Sequence, residues 1–155
     1  MSRIGDSELD KVKEAFDLNL HSQIDLVRIA LPALRSSKGK VLAVTSALAS
    51  IPTAGWAPYC ASKAALNIYL QTLAIEEPEL SACVALDPGV VETQMVQEVR
   101  GKGRSVFEER QWRGFEKFWA GMVKPEEPAN AAAKILLSEG KNECNGKVVK
   151  YTQIK

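Results

Sequence analysis

Tyr59 and Lys63 stand four residues apart at the start of a predicted helix, so their side chains share one face. A free tyrosine has a pKa of about 10 and is a poor proton donor or acceptor near neutrality. An ammonium held beside it favours the phenolate, lowers that pKa and makes the phenol a usable general acid or base. The spacing alone describes an exposed helix pair equally well. Ser46 adds weight, because it closes a short apolar run 13 residues before Tyr59, where a strand end in an open α/β sheet faces a ligand crevice. Its hydroxyl can bond a substrate carbonyl. Pro88-Gly89 follows directly on the next apolar run, and Thr93 stands four residues beyond Gly89. Backbone and hydroxyl groups there reach the same edge.

The elements that must hold these groups are legible as patterns. Leu9, Val12, Phe16, Leu20, Ile24, Val27, Leu31 and Leu34 recur at spacings of three or four, which predicts one long amphipathic helix opened by a capping box at Ser7 and Asp10. A second stripe through Ala15, Leu18, Ser22, Leu26, Ile29 and Ala33 makes that helix apolar on two sides, so one side packs on a sheet and the other wants a partner. Residues 40–46 form a strand expected to be buried on both faces. Tyr59 to Glu76 form a helix ended by Pro78, with Ala61, Ala64 and Ala65 allowing close approach. Residues 82–86 are a second buried strand, stopped by Asp87-Pro88-Gly89. Residues 92–123 are charge-rich, with Trp112, Phe115, Phe118, Trp119 and Met122 at helical spacing as either core or substrate pocket. A helix over 125–138 and a strand over 147–152 follow. This alternation implies right-handed crossovers in a parallel sheet: a single α/β domain over residues 1–155, a truncated Rossmann-like, doubly wound sheet of about three strands.

Composition limits the partners. The 155 residues are 46% hydrophobic and 25% charged, a globular balance, and 20 Lys and Arg against 19 Asp and Glu leave a net charge of +1. A nucleic acid or anionic membrane surface is not the expected partner; a small molecule is. Cys60, Cys83, Cys144 and the single His21 have no metal-ligand spacing, so no metal site is expected, and their scatter suits a reducing compartment. The uncharged run from Val41 to Ser62 is broken by Pro52, Gly55 and Pro58, which argues against a membrane span. The acidic opening does not look like a signal peptide, and a cytoplasmic protein is expected. Arg100, Lys102 and Arg104 read as a solvated loop among Glu98, Glu108 and Glu109, Cys60 reads as a small filler, and Ser46 with His21 lacks a nucleophile elbow.

Taken together, Ser46, the Tyr-Cys-Ala-Ser-Lys of 59–63 and the Pro-Gly-Val-Val-Glu-Thr of 88–93 resemble the short-chain dehydrogenase/reductases. Asn19, in Asp-Leu-Asn-Leu-His, matches the asparagine that completes that family's catalytic tetrad. Tyr-Cys-Ala-Ser-Lys-Ala-Ala, the Leu-Ala-Ile-Glu-Glu-Pro of 73–78 and Thr-Gln-Met of 93–95 are similar to the sepiapterin reductase and benzil reductase branch. The resemblance implies reduction of a small carbonyl or dicarbonyl compound by a nicotinamide cofactor, NADP(H) with NAD(H) as the alternative. Tyr59 would protonate the carbonyl oxygen, Ser46 would hold it, Lys63 would bind the nicotinamide ribose and depress the tyrosine pKa, and Asn19 would help relay protons. Pro88, Gly89, Val91 and Thr93 would cradle the carboxamide. By residues alone Asn19 reads better as a satisfied polar residue beside the helix stripe. A homodimer through helices 9–34 and 59–76 is also expected.

The family opens with a strand and a Gly-rich turn at a helix amino terminus, which binds pyrophosphate, and nothing similar precedes Ser7. Gly101-Lys-Gly103 is the only G-x-G, with Val106 at the place of a third glycine and no strand ahead of it. The chain thus resembles the carboxyl-terminal part of such an enzyme. Three readings follow: a reductase impaired by truncation, a non-catalytic binding or dimerising protein, and an incomplete gene model of a reductase.

Overall fold

The computed structural model describes residues 1–103 and 107–154; Arg104 and Val106 lie outside the described residues. Three parallel strands, β1 (Lys40–Val44), β2 (Ala82–Asp87) and β3 (Val148–Lys150), stand in the order β1-β2-β3. Lys40 pairs with Ala82 through to Val44 with Leu86, and Ala85 to Asp87 pair with Val148 to Lys150. Ahead of β1 lie α1 (Leu9–Phe16) and α2 (Ser22–Ser37); α3 (Ala57–Glu76) links β1 to β2; α4 (Gln94–Lys102), α5 (Glu109–Ala120) and α6 (Glu126–Leu137) lie between β2 and β3.

The alternation of side chains along β2 builds both halves of the core. Cys83 and Ala85 face Val27 of α2 and Leu66, Leu70 and Leu73 of α3. Ala82, Val84 and Leu86 face the opposite way, against Ile135 of α6 and Val149 of β3. Helices therefore cover both faces, as the doubly wound expectation requires. Each fully buried Leu or Ile in these layers contributes about 1.5–3 kcal/mol. The Lys40 ammonium ties β1 to the end of α6, donating to the Ile135 carbonyl at 3.0 Å and to Ser138 Oγ at 2.8 Å, where a cation complements the helix dipole.

Several local expectations are corrected. The long helix is interrupted by a π-helical turn over Asp17–His21, an extra residue per turn that re-aims the side chains it carries. The capping box does not form: Glu8 holds the N-cap position, and Ser7 Oγ donates instead to the Arg3 carbonyl at 2.9 Å. β1 is an edge strand with only Ala43 buried and Val44 53% exposed, not a strand covered on both faces, because β2 is its sole neighbour among the described residues. β3 stops at Lys150, and Tyr151–Gln153 turn into a 3-10 helix.

Candidate active site

The carboxyl ends of β1 and β2 lie side by side, joined past the last pair by the Thr45 amide to the Leu86 carbonyl at 2.8 Å. Ser46 and Asp87 therefore leave the sheet at one edge. Ser46 caps a short 3-10 turn, Ala47–Ala49, its Oγ accepting from the Leu48 amide at 3.2 Å. From there the chain returns through Gly55, at φ +78°, into α3, whose first turn holds Pro58, where a missing amide costs nothing. This geometry sets Tyr59 against Ser46. The phenol is partly buried, and burial pushes its pKa above the usual tyrosine value; the hydrogen bond with Ser46 opposes that rise, while nearby Cys60 and Asp87 add to it.

Lys63 lies one turn further along α3. Its Nζ donates to the Val44 carbonyl at 2.9 Å and stands 6.0 Å from the centre of the Tyr59 ring. Burial lowers its pKa. The expectation that this ammonium depresses the tyrosine pKa is corrected for the protein without ligand: burial dominates at Tyr59, and the lysine is held by a strand carbonyl.

Asn19 sits in the π-helical turn and donates through Nδ2 to Ser62 Oγ at 3.2 Å; Ser62, completely buried, donates in turn to the Tyr59 carbonyl at 2.9 Å. A polar thread thus joins the turn to the backbone of Tyr59. Neither Ser62 nor the thread was singled out by sequence reasoning, although a hydroxyl one turn before Leu66 on the inner face of the helix was the available signal. Asp87 and Trp56 were also passed over.

On the β2 side, the Asp87 carboxylate accepts from the Gly89 amide at 3.0 Å, and Gly89 adopts φ +70°. A Cβ there would come within 3.1 Å of the Tyr151 ring, so only glycine fits without strain. Val91 bridges to Val123, with Glu92 donating to the Val123 carbonyl at 3.0 Å and Val123 to the Val90 carbonyl at 2.9 Å. These contacts stitch the two ends of the α4–α5 flap together. Thr93 is exposed at the head of α4 and makes no capping bond. Inside the flap, Phe107, Trp119 and Val99 are buried with Trp112, Phe115 and Met122 packed on them, while Phe118 points outward at 57% exposure. The aromatics form a core of their own beside the site, and Trp56 joins it. A cleft of about 190 Å³ lies between Trp56, Tyr59 and the segment around Ser2 and Ser7. His21 pairs with Asp17 at 2.7 Å on the surface, and Cys60 has its thiol pKa raised by burial, which suits an unreactive filler.

The family model for short chain dehydrogenase matches residues 1–103, a span that contains Asn19, Ser46, Tyr59, Lys63 and the Pro88 to Thr93 turn. The chain belongs to the short-chain dehydrogenase family. It is 31% identical to a benzil reductase ((S)-benzoin forming) of Saccharomyces cerevisiae, over 93% of this chain and 57% of that one. It is 36% identical to rat sepiapterin reductase over 61% of this chain and 37% of that one. The crystal structure of a short-chain dehydrogenase/reductase from Saccharomyces cerevisiae superposes with a TM-score of 0.89 at 31% identity, covering 97% of this chain and 60% of that chain. This short-chain dehydrogenase chain spans between 37% and 60% of the length of these three relatives.

The residues present fit one end of the family's nicotinamide cofactor. Gly89 leaves the space a Cβ would take, and the Thr93 hydroxyl is uncommitted to its helix. The Lys63 ammonium lies within reach of the strand ends. At the pyrophosphate end the fit stops: Gly101 and Gly103 lie at the carboxyl terminus of α4, where the helix dipole repels phosphate. Among the described residues no glycine-rich strand-turn-helix is present.

Proposed function

We propose that the protein is an NADP(H)-dependent reductase of a small carbonyl or dicarbonyl compound, with Tyr59 as general acid. The observation that carries this reading is the meeting at one sheet edge of Ser46, the partly buried Tyr59 hydrogen-bonded to it, and Lys63, whose Nζ stands 6.0 Å from the tyrosine ring, which leaves the phenol proton beside the hydroxyl that would hold a carbonyl oxygen. Reduction needs that proton, whereas alcohol oxidation needs the phenolate. When bound, a reduced nicotinamide supplies the hydride. Ser46 holds the carbonyl oxygen, and Tyr59 gives its proton to that oxygen as negative charge develops. Lys63 would bind the nicotinamide ribose, and Pro88, Gly89, Val91 and Thr93 would line the carboxamide. Asn19 steadies the first turn of α3 through Ser62 and, by its match to the family's asparagine, would help relay protons to Lys63.

NADP(H) rather than NAD(H), and benzil-like substrates, rest on likeness to the benzil reductase and sepiapterin reductase relatives. A cytoplasmic location is proposed with it; the three cysteines are free thiols, which suits a reducing compartment. We assign the partner as a second copy of the chain, because Leu18, Leu26 and Ile29 are 72%, 64% and 70% exposed on α1–α2 and its linking turn, with Ile68 and Ile75 exposed on α3. The test of the activity is an assay on a chimera in which the unmatched amino-terminal segment of the yeast benzil reductase precedes Met1. Benzil reduction by NADPH faster than benzoin oxidation by NADP at neutral pH is the expected result. Oxidation without reduction refutes the reading.

A further inference from the structure

Trp56 belongs to three structures at once. It immediately precedes α3, with its amide donating to the Thr53 carbonyl at 3.1 Å and its carbonyl accepting from the Cys60 amide at 2.9 Å, so its backbone is held from both sides. The indole meets the Tyr59 ring edge to face, with ring centres 5.3 Å apart at 75°, a favoured aromatic geometry. On its other side it packs on the flap cluster of Val99, Phe107 and Trp119, and it also lines the cleft beside Tyr59. The indole Nε1 is buried with no hydrogen-bond partner among the described residues.

We infer that Trp56 is a positioning residue for Tyr59: its indole stands between the tyrosine ring and the α4–α5 flap, so the phenol is held by α3 on one side and, through the indole, by the flap on the other. The inference rests on Tyr59 being the proton donor. It deepens that reading by making a bulky group that displaces the flap felt at the tyrosine.

The experiment is a ¹³C NMR titration of tyrosine Cζ in the 155-residue chain without cofactor or substrate, so its failure is distinguishable from failure of the reductase assay. The chain has three tyrosines, and Tyr59→Phe assigns the signal. Trp56→Ala admits water to the ring and is expected to lower the Tyr59 midpoint by about 0.5 pH unit or more, with Tyr69 and Tyr151 unmoved. Trp56→Phe keeps an aromatic edge and should stay within about 0.2 unit of wild type. Trp119→Leu, made within the flap, should lower the Tyr59 midpoint by a smaller amount. If Trp56→Ala does not fold, Trp56→Leu, which keeps bulk without a ring, is read in its place. An unmoved Tyr59 in the alanine or leucine variant, all three tyrosines shifting together, a phenylalanine variant as displaced as alanine, or no response to Trp119→Leu would each overturn the inference.

Discussion

Cys83 lies fully buried in the middle of β2, and burial pushes its thiol from an ordinary 9.0 up to about 11. Between those values the unfolded chain releases a proton that the native chain keeps, so the stabilisation is whole below pH 9.0 and is lost as pH rises through about 11. Two units correspond to about 2–3 kcal/mol, and the raised phenol of Tyr59 adds an effect of the same sign above its ordinary 10.0. The urea midpoint should therefore fall between about pH 9 and 11, and Cys83→Ala should flatten that fall; an equally steep fall in the variant contradicts the assignment. At this scale the pairing of Tyr59 with Ser46 was legible, since a serine ending one strand and a tyrosine opening the next helix must meet at the sheet edge. The lysine's engagement was not, because its acceptor is the backbone carbonyl of Val44, and a backbone acceptor has no side-chain signature.

The turn between β2 and α4 is the element on which the proposed nicotinamide end of the site depends. Gly89 is left-handed and abuts Tyr151, so Gly89→Ala forces both an unfavourable φ and a close contact. The expected cost is about 1–2 kcal/mol of stability, read as a lowered melting temperature. An unchanged melting temperature would show that the turn relaxes freely. The carboxyl end of α3 at Glu76 was readable because Pro78 marks where a helix must end, whereas its start came two residues before the expected Tyr59, at Ala57, because Pro58 fits inside a first turn. The π-helical turn was not readable, because one inserted residue leaves apolar spacings of three and four intact while turning Asn19 toward Ser62. By residues alone Asn19 read as a satisfied polar residue, and it is one, but its partner Ser62, 43 positions away on another helix, was not legible.

Across the whole molecule, the three parallel strands and the helices on both faces were legible from alternation of element types, whereas the exposed outer side of β1 was not, since Val41 to Val44 reads like a central strand. The exposed row of Leu18, Leu26 and Ile29 was anticipated by the second stripe and bears on assembly. Leu26→Glu with Ile29→Glu should give monomers in sedimentation velocity where the wild type gives dimers; a wild type that already sediments as a monomer removes the proposed interface. Cofactor affinity also belongs to this scale. Charge-assisted contacts to phosphate are worth about 1.5–3 kcal/mol each, and among the described residues no glycine-rich strand-turn-helix offers them. Isothermal titration of the 155-residue chain should therefore show NADPH binding that is weak or undetectable, and micromolar affinity would contradict this. The central claim, that Tyr59 delivers the proton in carbonyl reduction, is tested most directly by steady-state benzil reduction in the chimera, with and without Tyr59→Phe. A loss of at least about 100-fold in turnover with NADPH affinity little changed is expected; a variant keeping about half of wild-type turnover or more would rule out Tyr59 as the proton donor.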